Sequence, residues 1–248
     1  MAEVMVQAPE VPERVNTLGR IFGVLASPKT TFQSIARRPT WLAPVVLLCL
    51  LFLAVVAIFS YRGGWPSYFQ KQTANSSRFQ QMPPDQQQRV YEAQLKYGPP
   101  IAYAEAPIVP TLVVVVVAAI FLGVFNGLAG AKLNFKTSLG IVSHAWMANA
   151  VSGLLGIVIV AVKDPATIDL QNLVASNAGA LLSSDAPKWL AALLGSIDLF
   201  SFWTMILLAI DYAAAAPKPL TTSKTFAWIL VMGLAFVVVK VGISAAFA

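Results

Sequence analysis

Apolar runs of about 20 residues, the length a helix needs to cross the ~30 Å hydrocarbon core of a bilayer, recur along this chain and restrict its fold more than any other feature. They fall at about residues 41–61, 106–128, 137–162, 187–214 and 222–246. A soluble domain of this size has room to bury one or two such helices, not several. Composition agrees: 57% of residues are hydrophobic and 11% charged, against roughly 45–50% and 25% in soluble domains. The run Leu112-Val-Val-Val-Val-Val117 is built of residues that favour strands in water. In lipid the backbone must satisfy its own hydrogen bonds, so helix wins. The expected fold is an all-α integral membrane protein with five transmembrane helices preceded by short amphipathic interfacial helices.

Residues 1–16 lack helical periodicity and read as a flexible N-terminal tail. In residues 17–40, Leu18, Ile21, Phe22 and Leu25 recur at spacings of three and four. Ser27-Pro28 then supplies a cap and a first-turn proline for a second helix carrying Phe32, Ile35 and Ala36. With Lys29, Arg37 and Arg38 as interfacial basic residues, this segment is expected to lie on the bilayer surface. Residues 41–248 form the expected membrane domain, whose first run is flanked by Trp41, Tyr61 and Trp65 as an aromatic belt. That run has no small-residue cleavage site in the usual place, so it is expected to stay in the mature protein. A polar outer segment, 62–105, holds a glutamine-rich helix near 86–95 that Gly98-Pro-Pro100 should stop. Asn172 to Leu182 is too short and broken to cross and reads as surface-lying or partly re-entrant. Lysines and arginines concentrate before the first run and in the short loops at Lys132, Lys136, Lys218 and Lys224. That bias predicts a cytoplasmic N-terminus and, with five crossings, a C-terminus outside, in a cell inner membrane.

Ionisable groups inside a span are functional candidates by default. Asp198 lies roughly 13 Å and Lys240 roughly 11 Å from the outer face at 1.5 Å per residue. Their matching depths suggest an intramembrane ion pair clamping the last two spans. His144, the one histidine, reads as a hydrogen-bonded interior group, with Asn149 and Asn126 as further intramembrane polar candidates. No metal site is expected, since His144 has no second histidine or cysteine near it in sequence; Cys49 is the single cysteine. Asp211 reads as an interfacial residue. Gly123 with Gly127, and Ala148, Ser152 and Gly156, are spaced four apart as small-residue faces for helix packing. Catalytic residues are not expected: there is no phosphate loop, His-Glu-x-x-His or nucleophile elbow, and Ser196 and Ser201 lack a base. No cofactor is expected. The net charge of +6 is spread over the ends of apolar runs, which excludes a nucleic-acid patch.

Ser27-Pro-Lys-Thr-Thr-Phe32-Gln-Ser-Ile35, then Pro39-Thr-Trp-Leu42, the Phe135–Gly140 segment, Asn172–Leu182, and above all Ser196-Ile-Asp-Leu-Phe-Ser-Phe-Trp203 with Leu207-Leu-Ala-Ile210 follow one another in an order that resembles the Yip family (Ypt-interacting-protein domain) in its bacterial form. The resemblance implies five spans with the N-terminus in the cytoplasm. Eukaryotic relatives are similar to scaffolds that bind prenylated Rab-type GTPases in vesicle traffic; only the scaffold idea carries over, and no binding residue does. The functional expectation is a non-enzymatic membrane scaffold or organiser whose partners are the lipid bilayer and other membrane proteins or a second copy. The alternative is a small transporter or permease subunit using Asp198, Lys240 and His144.

Overall fold

The computed structural model describes residues 16–74, 76–183 and 186–246. The expected tail, 1–16, lies outside them except for Asn16, whose side chain caps the first helix by accepting from Gly19 N at 2.6 Å. Helix α1 (Thr17–Ala26) and helix α2 (Pro28–Arg37), the latter opened by its first-turn proline, follow as the capping residues dictate. Their apolar faces are not both left to lipid. Phe32 and Ile35 are fully buried because α2 packs on the helices Phe135–Ala145 and Leu199–Ala215, whereas α1 buries Ile21 and Val24 and leaves Leu18 and Phe22 exposed. The buried Arg20 fastens this hairpin, donating to Arg38 O at 2.8 Å, Thr40 Oγ1 at 3.1 Å and Ser34 Oγ at 3.2 Å. Burial and the neighbouring Arg38 charge lower the pKa of its guanidinium.

Helix α3 (Leu42–Tyr61) is the first apolar run. Short helices α4 (Trp65–Ala74) and α5 (Ser77–Gln80) lead into α6 (Pro84–Ala129). Here the structure corrects the sequence expectation: α6 is one helix of 46 residues that runs through Gly98-Pro-Pro100 and through Pro107 and Pro110. A proline's fixed φ fits a helix, and its cost is a lost hydrogen bond and a clash one turn back. At Pro107 and Pro110, in the apolar part of the helix, neighbouring groups offset that loss as they do in membrane helices. At 1.5 Å per residue α6 is about 69 Å long, more than twice the hydrocarbon core.

The break expected at Gly98 is used for packing instead. A Cβ built on Gly98 would sit 2.2 Å from Cζ of Phe69, so only glycine lets α4 seat against α6. Gly98→Ala should therefore displace Phe69 and cost about 1–3 kcal/mol. Limited proteolysis reads this out: cleavage within 62–83 should accelerate, while unchanged cleavage would mean that α4 is not held there.

Helices α7 (Phe135–Ala145) and α8 (Met147–Val162) are separated by Trp146 alone and together make a stretch long and apolar enough to cross. Helix α9 (Lys188–Leu194) and helix α10 (Leu199–Ala215) precede α11 (Thr222–Ala246). Four helical stretches meet the length and hydropathy of a membrane crossing among the described residues: α3, α6, α7–α8 and α11. The run expected as a continuous span over 187–214 is divided. Its longer part, α10, has 17 residues, or about 26 Å, just short of the hydrocarbon thickness. Both α9 and α10 pack along α11.

The chain is an all-α integral membrane protein, and its core sits where α6, α7 and α10 meet. Tyr212 is fully buried there, its ring 4.6 Å from Phe125 and 5.6 Å from Phe121. Its hydroxyl shares a hydrogen bond with Ser138 Oγ, which also bonds Ala118 O at 2.7 Å.

Candidate functional site

The interruption between α9 and α10 is built from a few polar residues. Asp198 ends the gap as the N-cap of α10, with extended backbone and Oδ1 accepting from Ser201 N at 2.7 Å. Its other oxygen, Oδ2, accepts from the hydroxyl of Ser176. Ser176 belongs to the segment after α8, which winds through three 3-10 turns (Pro165–Thr167, Leu170–Asn172, Ala178–Leu181). That segment meets the gap in an antiparallel bridge between Asn177 and Asp198, with Ala178 N bonding Ile197 O and Leu199 N bonding Ser176 O, each at 3.1 Å. Backbone groups freed by the helix break are thus paired with protein, as irregular backbone at membrane depth requires. Arg62 ties the same end together by donating to Val160 O at 2.8 Å and to Lys163 O, carbonyls at the C-terminus of α8.

Beneath this clamp lies a cavity of about 800 Å³. Leu51 and Val55 of α3 and Val109 and Val113 of α6 give it apolar walls, and Asn149 and Ser152 of α8 face it. Asp198 and Glu105 bring carboxylates to its lining, and Trp65, Tyr68 and Phe69 of α4 bring aromatic rings. Those rings form a cluster, with Trp65 and Phe69 stacked at 5.6 Å and Tyr68 edge-on to Phe69 at 5.3 Å.

Several expected site residues fall elsewhere or act differently. Asp198 and Lys240 do not form an ion pair: Lys240 Nζ donates to Ser196 Oγ at 3.1 Å, and the salt bridge found among the described residues is Arg89–Asp85 at 2.6 Å. The carboxylate is engaged by the cap and by Ser176, needs that a depth count along two helices does not reveal. His144 is fully buried, with Nδ1 on Gly140 O at 2.8 Å and Nε2 without a partner. It lines no part of the cavity, and no group of three metal-ligating residues occurs among the described residues. Asn149 donates to Thr204 Oγ1 at 2.9 Å and joins α8 to α10. Asn126 pins the loop after α6 by exchanging two 2.8 Å bonds with the backbone of Leu133.

The small-residue faces also part company. Ala148 is buried in the core, while Ser152 and Gly156 line the cavity, and a Cβ on Gly156 would lie 2.9 Å from Leu173 of the clamp segment. Gly123 and Gly127 of α6 are exposed and have nothing within 4 Å of where a Cβ would stand. Lys29, Arg37 and Arg38 are exposed. Asp211 is the reverse of its interfacial expectation, being fully buried with both carboxylate oxygens unpartnered. Its spacing of seven from Thr204, two helical turns, places both on one face and is the signal the sequence offers. Ser176 and Asn177 carry no such signal, because their role depends on a contact across the fold.

These features define a class: a polytopic helical membrane protein whose α9–α10 run is interrupted and clamped by an irregular segment over a cavity. The chain belongs to the Yip1 domain family, whose model matches residues 22–245 and so runs from the second half of α1 almost to the end of α11. No curated protein and no solved structure matches it.

Proposed function

We propose that the chain is a non-enzymatic, multi-pass scaffold of a bacterial inner membrane, with a cytoplasmic N-terminus and an outward C-terminus. In this reading α9 and α10 together make a fifth crossing beside α11, and Lys132, Lys136, Lys218 and Lys224, in and beside the α6–α7 and α10–α11 loops, lie in the cytoplasm. The observation that carries it is the length of α6. A helix of 46 residues outlasts the bilayer by some 25 residues, at about 20 residues per crossing. The surplus stands outside the membrane as a rigid pillar, braced by α4, with Gln88, Arg89 and Glu92 exposed. Such a surface suits contact with other membrane proteins or a second copy.

A photocrosslinking residue in place of Glu92, activated in native membranes and followed by mass spectrometry, tests this. One recurrent protein adduct is the expected result; adducts to lipid alone, or none, would contradict it. The helix break beside a cavity favours a second reading, a small transporter. Substrate- or proton-coupled flux in liposomes that Asp198→Asn abolishes would establish that reading in place of the scaffold.

A further inference from the structure

We propose that the cavity below the clamp binds the headgroup and upper chain of a single bilayer lipid whose head carries a positive charge. At about 800 Å³ the cavity lies within the ~300–1,000 Å³ range of small-molecule sites. Val109 and Val113 of α6 and Phe52 of α3 line it and are also exposed, so the opening passes between two membrane helices, where lipid chains are the solvent. Gln72, Glu105 and Gln171 also line the cavity and are exposed, so its polar end opens where a headgroup would meet water.

The polar part selects the charge. Glu105 and Asp198 both line the cavity, and among the described residues no lysine or arginine does. Asp198 receives one hydrogen bond on each oxygen, which leaves about half of a carboxylate's four or so acceptor positions for a ligand. Trp65 and Tyr68 add aromatic rings at the same end, and aromatic faces attract ammonium and quaternary ammonium groups. A phosphate with no accompanying cation would meet two carboxylates and no compensating donor of positive charge. This site is independent of the scaffold surface on α6 and stands or falls separately.

Native mass spectrometry of the full chain in detergent, with added phosphatidylethanolamine, phosphatidylcholine or phosphatidylglycerol, tests the proposal. The two cation-bearing lipids should be retained over phosphatidylglycerol, and Glu105→Gln should weaken them about tenfold, the scale of one lost charge contact. Ser152→Trp, which fills the cavity, should abolish retention, whereas Val231→Trp on the lipid-exposed face of α11 should leave it unchanged. Circular dichroism and monodisperse elution check each variant; if Ser152→Trp does not fold, Val109→Trp at the mouth replaces it. Equal retention of phosphatidylglycerol, retention unaffected by filling the cavity, or equal loss in Val231→Trp would each overturn the proposal. So would displacement of bound lipid by free choline at matching concentration, which would make the ligand a soluble cation.

Discussion

Tyr212→Ala should be the most destabilising single change in the bundle, lowering unfolding free energy by about 3–5 kcal/mol, the range for large buried aromatic residues. The ring is fully buried and packed on Phe121 and Phe125. In a membrane the hydrophobic drive between helices is weak, so lost van der Waals contact carries most of this effect. Tyr212→Phe keeps the ring and removes only the hydroxyl bond to Ser138, which predicts about 1 kcal/mol. Denaturant titration in micelles measures both. A loss below about 1 kcal/mol for the alanine variant would mean that α10 does not seat against α6 and α7 at this point.

Asp198→Ala should rank next, at about 2–4 kcal/mol, since it removes a helix cap and a hydrogen bond to a charged acceptor together. Lys240→Met should cost less than about 1 kcal/mol, because the ammonium's hydrogen bond goes to the neutral hydroxyl of Ser196. Double-mutant cycles separate the clamp from an ion pair. Asp198 and Ser176 should couple by about 0.5–3 kcal/mol, as groups sharing one network do. The coupling of Asp198 with Lys240 should be the smaller of the two; the reverse order would restore the ion pair.

What the sequence makes legible follows physical range. Membrane class, the all-α fold and the positions of α3, α7–α8 and α11 depend on hydropathy summed over about 20 residues, and such sums survive single exceptions. The family resemblance, strongest at Ser196–Trp203, likewise draws on residues that stand together in the chain. Local signals decide less where two readings compete. Gly98-Pro-Pro100 has the composition of a helix stop, yet glycine's missing side chain serves the Phe69 contact and the helix continues. Asp198 is an N-cap residue type inside an apolar run, its cap bond coming from the backbone N–H of Ser201, and hydropathy averaged across it hides the break. The cavity and the Ser176–Asp198 bond join residues far apart in the chain, and no local pattern encodes them.

The central structural claim is that the α9–α10 run is interrupted and held there by the segment after α8. In the Asn177–Asp198 bridge the flanking bonds run from Ala178 N to Ile197 O and from Leu199 N to Ser176 O, the pattern of a non-hydrogen-bonded pair with Cα atoms about 4.5 Å apart. That separation falls within the reach of a disulfide, about 4.4–6.8 Å. With Cys49 first replaced by serine, the double variant Asn177→Cys, Asp198→Cys should close a disulfide under mild oxidation in native membranes, read as protection of both thiols from alkylation until reductant is added. The backbone bonds of the bridge do not depend on the two replaced side chains, so two thiols that stay reduced and alkylate freely would contradict the pairing of this segment with the α9–α10 gap.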